Sequence, residues 1–208
     1  MAVTAGPRPA SANDDARGRP AVFLDKDGTL VENVPYNVDP ALLRLTRGAA
    51  TALRLLADAG YLLFVVSNQP GIALGRFDSA ALARLLEALE LRLRERGIRL
   101  AGFYACPHAP VPVGAAPGCE CRKPAPGLLR RAAAEHGIDL SRSWMVGDIL
   151  DDVEAGRRAG CRTVLLDVGN ETVWRGGPLR EPHRRAANLL DAARLMLAAS
   201  DASHSVRA

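Results

Sequence analysis

The chain has 208 residues, and 48% of them are hydrophobic, which suits one domain with a substantial apolar core. The net charge is +4, aromatic residues make up only 4%, and the basic residues are spread along the chain without forming a block. This distribution argues against a nucleic-acid-binding protein, and the lack of about 18 consecutive apolar residues argues against a membrane span.

The two ends of the chain are predicted to lie outside the folded domain. Residues 1–19 are rich in Ala, Pro, Arg, Asn and Asp and lack the apolar segment of a secretory signal. We expect them to form a disordered leader, and we expect a disordered tail over residues 200–208. The predicted domain therefore spans residues 20–199.

The first predicted strand, residues 21–24, runs directly into two carboxylates. Asp25 and Asp27 are two residues apart, so in extended backbone both side chains point to the same side. Carboxylates held together repel each other, and a bound cation or a proton would relieve that repulsion. Ligands of open α/β sheets bind beyond the carboxyl ends of strands, so the pair predicts an active site. The alternative is an ordinary Asx-rich turn.

Two further polar segments follow in chain order. In the loop over residues 31–40, Asn33 and Tyr36 are either substrate contacts or parts of a plain connection. The next buried strand, residues 61–66, ends in a polar segment that suits a phosphate oxygen through its hydroxyl and amide donors. The same segment also suits an ordinary turn. The hydroxyl of Ser67 and the carboxamides of Asn68 and Gln69 are candidate contacts to a phosphate or to the rest of the substrate.

Further helices and strands alternate along the rest of the chain. An apolar stripe of leucines predicts a long core helix over residues 78–96. The remaining helices are predicted over residues 48–59, 126–137, 153–159 and 186–199, and the remaining strands over residues 100–105, 144–148 and 162–166.

An irregular loop rich in Pro and Gly carries a cysteine–histidine cluster. Its three thiols and one imidazole form a complete tetrahedral ligand set for Zn²⁺ without an open position, which indicates a structural site; the ligands are Cys106, His108, Cys119 and Cys121. A fortuitous cluster and a disulfide after oxidation are the alternatives, and a disulfide would leave the histidine unexplained. Metal-binding thiols favour a reducing compartment, so we expect a cytoplasmic protein.

A pair of cations follows the cluster immediately. Of the 27 basic residues only two are lysines, Lys26 and Lys123, and both lie within candidate site segments. Arg122 and Lys123 precede a predicted helix, where a lysine would screen the charge of a phosphoryl group and its nucleophile. The alternative is a pair of exposed cations before a helix.

The fourth polar strand end carries Asp148, with Asp151 and Asp152 in the next turn. The latter two are either charges that favour a helix N-terminus or groups that support the site.

Together these segments resemble the four ordered motifs of the haloacid dehalogenase superfamily, whose members are mostly phosphatases. The resembling segments are Asp-x-Asp-Gly-Thr at residue 25, the serine at residue 67, Lys-Pro at residue 123 and Gly-Asp-x-x-x-Asp at residue 147. The resemblance implies an α/β, Rossmann-like three-layer fold with a central, mostly parallel sheet. No insertion is long enough for a cap domain, so we expect a capless enzyme with a zinc loop.

The resemblance also implies the chemistry. Asp25 would attack phosphorus and Asp27 would act as general acid and base, while Ser67 and Lys123 would stabilise the phosphoryl oxygens. Mg²⁺ would bind Asp25, Asp148 and the backbone carbonyl of Asp27. The expected partner is a small phosphorylated metabolite, bound by a monomer.

The zinc loop and the segments around Ser67 and Arg122 resemble the D-glycero-D-manno-heptose 1,7-bisphosphate phosphatases, with the related histidinol-phosphate phosphatases as the alternative. Arg122 would then bind a second phosphate of the substrate. The chain departs from the expected pattern at Lys26, Pro70 and Leu74, and the last two lie near the expected substrate contacts. A non-catalytic, zinc-stabilised binding module is a further alternative.

Overall fold

The computed structural model describes residues 18–111 and 118–205. Six strands and five longer helices alternate along these residues, with short 3-10 helices at Pro40–Leu42 and Leu140–Arg142. In chain order they are β1 (Ala21–Leu24), α1 (Ala49–Asp58), β2 (Leu62–Asn68), α2 (Ser79–Arg94), β3 (Gly102–Cys106), α3 (Gly127–His136), β4 (Trp144–Gly147), α4 (Leu150–Ala159), β5 (Arg162–Leu166), β6 (Arg184–Ala186) and α5 (Leu189–Ser205).

All six strands are parallel and lie in the order β3-β2-β1-β4-β5-β6. The chain first builds the sheet outward from β1 through β2 and β3, and then returns to the other side of β1 with β4. This reversal leaves a crevice at the carboxyl ends of β1 and β4, which is where ligands bind in such sheets.

Helices cover both faces of the sheet, which confirms the predicted three-layer α/β fold. Alternate residues of β1 point to opposite faces: Val22 and Leu24 pack in the core beneath α1, α2 and α5, and Ala21 and Phe23 pack against α3. Because both faces are buried, the central strands β1, β2 and β4 are apolar along most of their length. No cap domain stands over the sheet among the described residues, as predicted.

Local sequence explains where several helices begin and end. The carboxylate of Asp78 caps α2 by accepting a hydrogen bond from the Ala81 N–H at 2.7 Å. Gly137 and Gly160 follow α3 and α4 with left-handed φ angles of 62° and 91°, a conformation that glycine adopts without strain.

The ends of the described chain differ from the predicted domain limits. Arg19, placed by the sequence in the leader, pairs with Ile138 in an isolated parallel bridge. Helix α5 extends to Ser205, beyond its predicted end at residue 199. Residues 1–17 of the predicted leader and 206–208 of the predicted tail lie outside the described residues. No helix within the described ranges is long and apolar enough to cross a membrane.

Candidate active site

Polar groups from separate segments meet at the carboxyl ends of the central strands. Asp25 follows β1, Ser67 lies near the end of β2, and Asp148 follows β4, while Lys123 lies shortly before α3. All four are buried, with between 1% and 8% of their surface exposed. Because parallel strands end at one edge of the sheet, residues far apart in sequence meet there as predicted.

Three carboxylates lie close enough together to share one ion. One oxygen from each of Asp25, Asp148 and Asp152 lies within 4.8 Å of the other two. Burial, followed by the charge of Asp25, raises the pKa of Asp148 to about 6. Burial also raises the pKa of Asp152 to about 7, although Lys123 opposes this shift. Burial and, to a smaller extent, neighbouring negative charge both disfavour the ionised carboxylates here, and a divalent cation with oxygen ligands would offset that cost.

Lys123 supplies the positive charge of this cluster. Its Nζ forms an ion pair with Asp25 and a second one with Asp152 at 2.6 Å, and it donates to the Val66 carbonyl at 2.9 Å. Burial alone would lower the pKa of Lys123, but Asp152 and Asp25 outweigh that effect and raise it. The ammonium therefore stays charged beside Asp25.

The carboxamide of Asn68, a predicted substrate contact, forms two hydrogen bonds with the backbone of Lys123. Its Oδ1 accepts from the Lys123 N–H at 3.0 Å, and its Nδ2 donates to the Lys123 carbonyl at 3.1 Å. Both polar atoms thus hold the Lys123 backbone. The two residues are 55 positions apart in sequence, so no local pattern indicated this pairing.

Asp27 lies at the edge of the cluster and is less buried than Asp25. Its Oδ1 lies 2.5 Å from Lys26 Nζ, and its Oδ2 accepts from Gln69 Nε2 at 3.1 Å. Burial raises the pKa of Asp27, Lys26 partly offsets the increase, and Asp25 adds to it. A raised pKa suits a carboxyl group that must both donate and accept a proton.

A cavity of about 220 Å³ opens beside Asp27, and the predicted substrate-binding residues Asn33, Tyr36, Asn68 and Gln69 are among its lining residues. Tyr36 adopts a left-handed φ of 55°, and the Arg76 guanidinium lies 5.7 Å from the centre of its ring.

Arg122 does not line this cavity. Its Nη1 donates to the His108 carbonyl at 3.2 Å, so it is tied to the zinc loop.

The predicted zinc ligands also come together. The Sγ atoms of Cys106, Cys119 and Cys121 lie 3.2–3.5 Å from one another, and His108 Nδ1 lies 3.3 Å from Cys121 Sγ. These sulfur separations exceed the roughly 2.05 Å of a disulfide bond, and all the cysteines are free. Burial raises the pKa values of Cys106 and Cys121, whereas at Cys119 hydrogen bonds from the other two thiols and from the backbone outweigh burial and lower the pKa to about 7, which favours its thiolate.

Two supporting residues of Asp148 received no role from the sequence. Thr29 Oγ1 donates to Asp148 Oδ1 at 3.1 Å, and Asn170 Nδ2 donates to Asp148 Oδ2 at 2.7 Å. The other site residues follow predicted strands, and Asn170 likewise lies shortly after the predicted strand of residues 162–166. This position was the available signal that Asn170 belongs to the site. Asp151 lies apart from the cluster and pairs with Arg180.

The chain was compared with known proteins. A HAD-hydrolase-like family model matches residues 120–192. The D-glycero-β-D-manno-heptose-1,7-bisphosphate 7-phosphatase of Photorhabdus laumondii is 38% identical over 176 residues, which cover 84% of this chain and 90% of that protein.

Solved structures give a consistent result. A D,D-heptose 1,7-bisphosphate phosphatase from B. bronchiseptica, complexed with magnesium and phosphate, has 31% identity and a TM-score of 0.75, with coverage of 86% of this chain and 98% of that chain. A putative HAD-like phosphatase from Mesorhizobium loti has 32% identity and a TM-score of 0.76, with coverage of 94% and 93%. This chain therefore belongs to the haloacid dehalogenase-like hydrolases, in the family of the D-glycero-D-manno-heptose-1,7-bisphosphate phosphatases.

Proposed function

We propose that this chain is a Mg²⁺-dependent phosphatase that removes the 7-phosphate of D-glycero-β-D-manno-heptose 1,7-bisphosphate. The observation that carries the proposal is the contact of buried Asp25 with Lys123, next to Asp148 and beside the cavity at Asp27. The substrate is chosen because relatives named for it align over most of the chain.

In the proposed reaction, Asp25 is the nucleophile. A carboxylate oxygen attacks phosphorus, the bond from phosphorus to the sugar oxygen breaks, and an aspartyl-phosphate forms. Lys123 lies against Asp25 and would stabilise the negative charge on the phosphoryl oxygens. The Ser67 oxygen accepts from Gln69 Nε2 at 2.8 Å, so its own O–H is free to donate to a phosphoryl oxygen.

Asp27 is the proposed general acid and base. It would protonate the leaving sugar oxygen and then remove a proton from the water that hydrolyses the aspartyl-phosphate. The hydrogen bond from Gln69 and the contact with Lys26 orient its carboxyl group toward the cavity edge, where both proton transfers would occur.

The carboxylates of Asp25 and Asp148, with the backbone carbonyl of Asp27, are the proposed Mg²⁺ ligands. Bound Mg²⁺ would screen the charge between nucleophile and phosphate and polarise the phosphoryl group. Asp152 is assigned to Lys123 instead, because its Oδ1 forms a buried ion pair with Lys123 and its Oδ2 accepts from the Ile149 N–H at 3.3 Å. Zn²⁺ is proposed as a structural ion held by the cysteine–histidine cluster, in support of the loop that carries Arg122 and Lys123.

The remaining site predictions are part of the same proposal. Asn33, Tyr36 and Gln69 would contact the sugar from the cavity wall, and Arg122 would bind the phosphate that is not cleaved. Three further properties stay predictions: the protein is a monomer, it does not bind nucleic acid, and it lies in a reducing cellular compartment.

The experiment is a substrate panel with Mg²⁺ that includes the heptose bisphosphate, other sugar phosphates and histidinol phosphate, with Asp25→Asn as the matched control. Phosphorus NMR should show loss of the 7-phosphate while the 1-phosphate is retained, and the control should show no turnover. Preferential loss of the 1-phosphate, or a higher kcat/KM for histidinol phosphate, would contradict the proposal.

A further inference from the structure

Asp148 differs from the other carboxylates of the cluster in its hydrogen-bond donors. Asp25 and Asp152 both form ion pairs with Lys123. The two oxygens of Asp148 instead accept from neutral groups, the hydroxyl of Thr29 and the amide of Asn170. Neutral donors fix the direction of a carboxylate without adding a positive charge that would compete with a bound cation.

Asn170 approaches Asp148 from a separate segment, the loop after β5. The hydrogen bond from its Nδ2 to Asp148 Oδ2 is 2.7 Å long and joins residues 22 positions apart. The carboxylate of the next residue, Glu171, accepts a hydrogen bond of 2.8 Å from the backbone N–H of Leu150, the first residue of α4. The residue that precedes this helix, Ile149, offers no side-chain oxygen as a cap, so the loop also completes the helix terminus.

The space around this hydrogen bond is filled by the turn after β1. Gly28 has a φ of +84°, and a Cβ at this position would lie 2.2 Å from Asp148 Oδ2 and 2.4 Å from Asn170 Nδ2. The backbone of Gly28 therefore packs directly against both groups. This contact limits the rotation of the Asp148 carboxylate and keeps the Asn170 amide in place.

We propose that Asn170 is a positioning residue that orients Asp148 for Mg²⁺. The inference rests on the proposed function, in which Asp148 is a ligand of that ion. An oriented ligand loses less freedom when the ion binds, and removal of such a supporting partner typically weakens metal affinity by about 10- to 100-fold.

The test is calorimetric titration of Mg²⁺ into the substrate-free protein for wild type, Asn170→Ala and Glu171→Ala. Asn170→Ala should weaken Mg²⁺ binding by about 10-fold or more. Glu171→Ala removes the other anchor of the same loop, so it should lower the melting temperature while Mg²⁺ affinity stays within about twofold of wild type. Thermal melts and circular dichroism verify that each variant is folded.

The outcomes separate this inference from the proposed function. Wild type that binds no Mg²⁺ would contradict the proposed function itself. Wild type that binds Mg²⁺ with an unchanged affinity in Asn170→Ala would overturn the role of Asn170. Equal weakening in both variants would also overturn it, because the residue would then act only as an anchor of the loop.

Discussion

Lys123 is held at the site by contacts with four residues from three other segments of the chain. Its ammonium meets Asp25, Asp152 and the Val66 carbonyl, and its backbone is paired on both sides with the Asn68 carboxamide. A buried charge is stable only when it is paired and hydrogen-bonded, and these contacts meet that requirement. The position of the cation therefore depends on a residue that touches only its backbone.

Asn68→Ala tests that dependence. Without the two backbone hydrogen bonds, Lys123 should shift relative to Asp25. A misplacement of about 1 Å in a catalytic group costs about 100-fold in rate. Because the loss concerns the reacting phosphate, steady-state kinetics should show similar losses with the heptose bisphosphate and with an aryl phosphate. A loss confined to the KM of the bisphosphate would instead indicate that Asn68 contacts the substrate.

Arg122→Ala tests how the second phosphate is bound. Loss of a charge-assisted hydrogen bond costs about 1.5–3 kcal/mol, which corresponds to roughly 10- to 100-fold in kcat/KM. That loss is expected for the bisphosphate, whereas an aryl phosphate lacks the second phosphate and should be affected far less. The measurement is kcat/KM for both substrates on both proteins, and equal losses would place Arg122 at the reacting phosphoryl group.

At the scale of single residues, the sequence predicted groups that share a strand end and missed those that meet across the fold. Asp25, Ser67 and Asp148 each follow an apolar strand, so the direction of parallel strands was enough to bring them together. The pairing of Asn68 with Lys123 and of Asn170 with Asp148 depends on loop geometry. Neither pairing leaves a periodic pattern in the sequence.

The loop that carries the cysteine–histidine cluster is an element whose stability is predicted to depend on a bound metal ion. Its sequence is rich in Pro and Gly and predicts no regular helix or strand, so a bound ion would order the segment that precedes Lys123. Cys119→Ser should lower the zinc content below one ion per chain and reduce activity, because Arg122 and Lys123 lose their support.

Elemental analysis of protein purified without chelators, together with kcat/KM, measures both effects. Cys161→Ser is the matched control, since Cys161 is a free cysteine outside the cluster, and this variant should keep its zinc. Wild-type protein without zinc would contradict the structural role of the cluster.

His183 immediately precedes the edge strand β6 and forms a hydrogen bond with the neighbouring strand β5. Its Nδ1 accepts from the Thr163 N–H at 3.0 Å, and burial together with Arg157, Arg162 and Arg184 lowers its pKa below the ordinary 6.5. As the pH falls through 6.5, the unfolded chain binds a proton at this residue before the folded chain does. Protonation of His183 on acidification therefore lowers the free energy of unfolding.

The expected effect of His183 is modest because the residue is exposed to solvent. Thermal melts of wild type and His183→Gln should differ less at pH 5 than at pH 7.5, because the variant has no histidine to protonate at this position. A difference that grows on acidification would mean that the protonated ring is stabilised in the folded protein.

At the scale of elements, the sequence predicted the buried strands and amphipathic helices and missed β6. The strands β1, β2 and β4 are apolar and end in polar groups, which is a strong signal. The strand β6 has three residues, two of them exposed arginines, so it has no apolar run to recognise. It exists because β5 offers an edge for pairing, which is a tertiary cause.

For the whole molecule, the order of the strands explains why one edge of the sheet carries the chemistry. The reversal between β3 and β4 places Asp25 and Asp148 side by side, and the helices on both faces keep the strands rigid beneath them. Without a cap among the described residues, only loops shape the cavity beside Asp27. Substrate choice would then depend on loop residues such as Asn33 and Tyr36.

The central claim is that Asp25 carries the phosphoryl group during turnover. Asp27→Asn should slow hydrolysis of this intermediate, and an aryl phosphate needs no protonation of its leaving group, so the intermediate should accumulate. Borohydride reduces an acyl phosphate, and peptide mass spectrometry should then find homoserine in place of Asp25. Reduction at another residue, or none while turnover continues, would contradict the account.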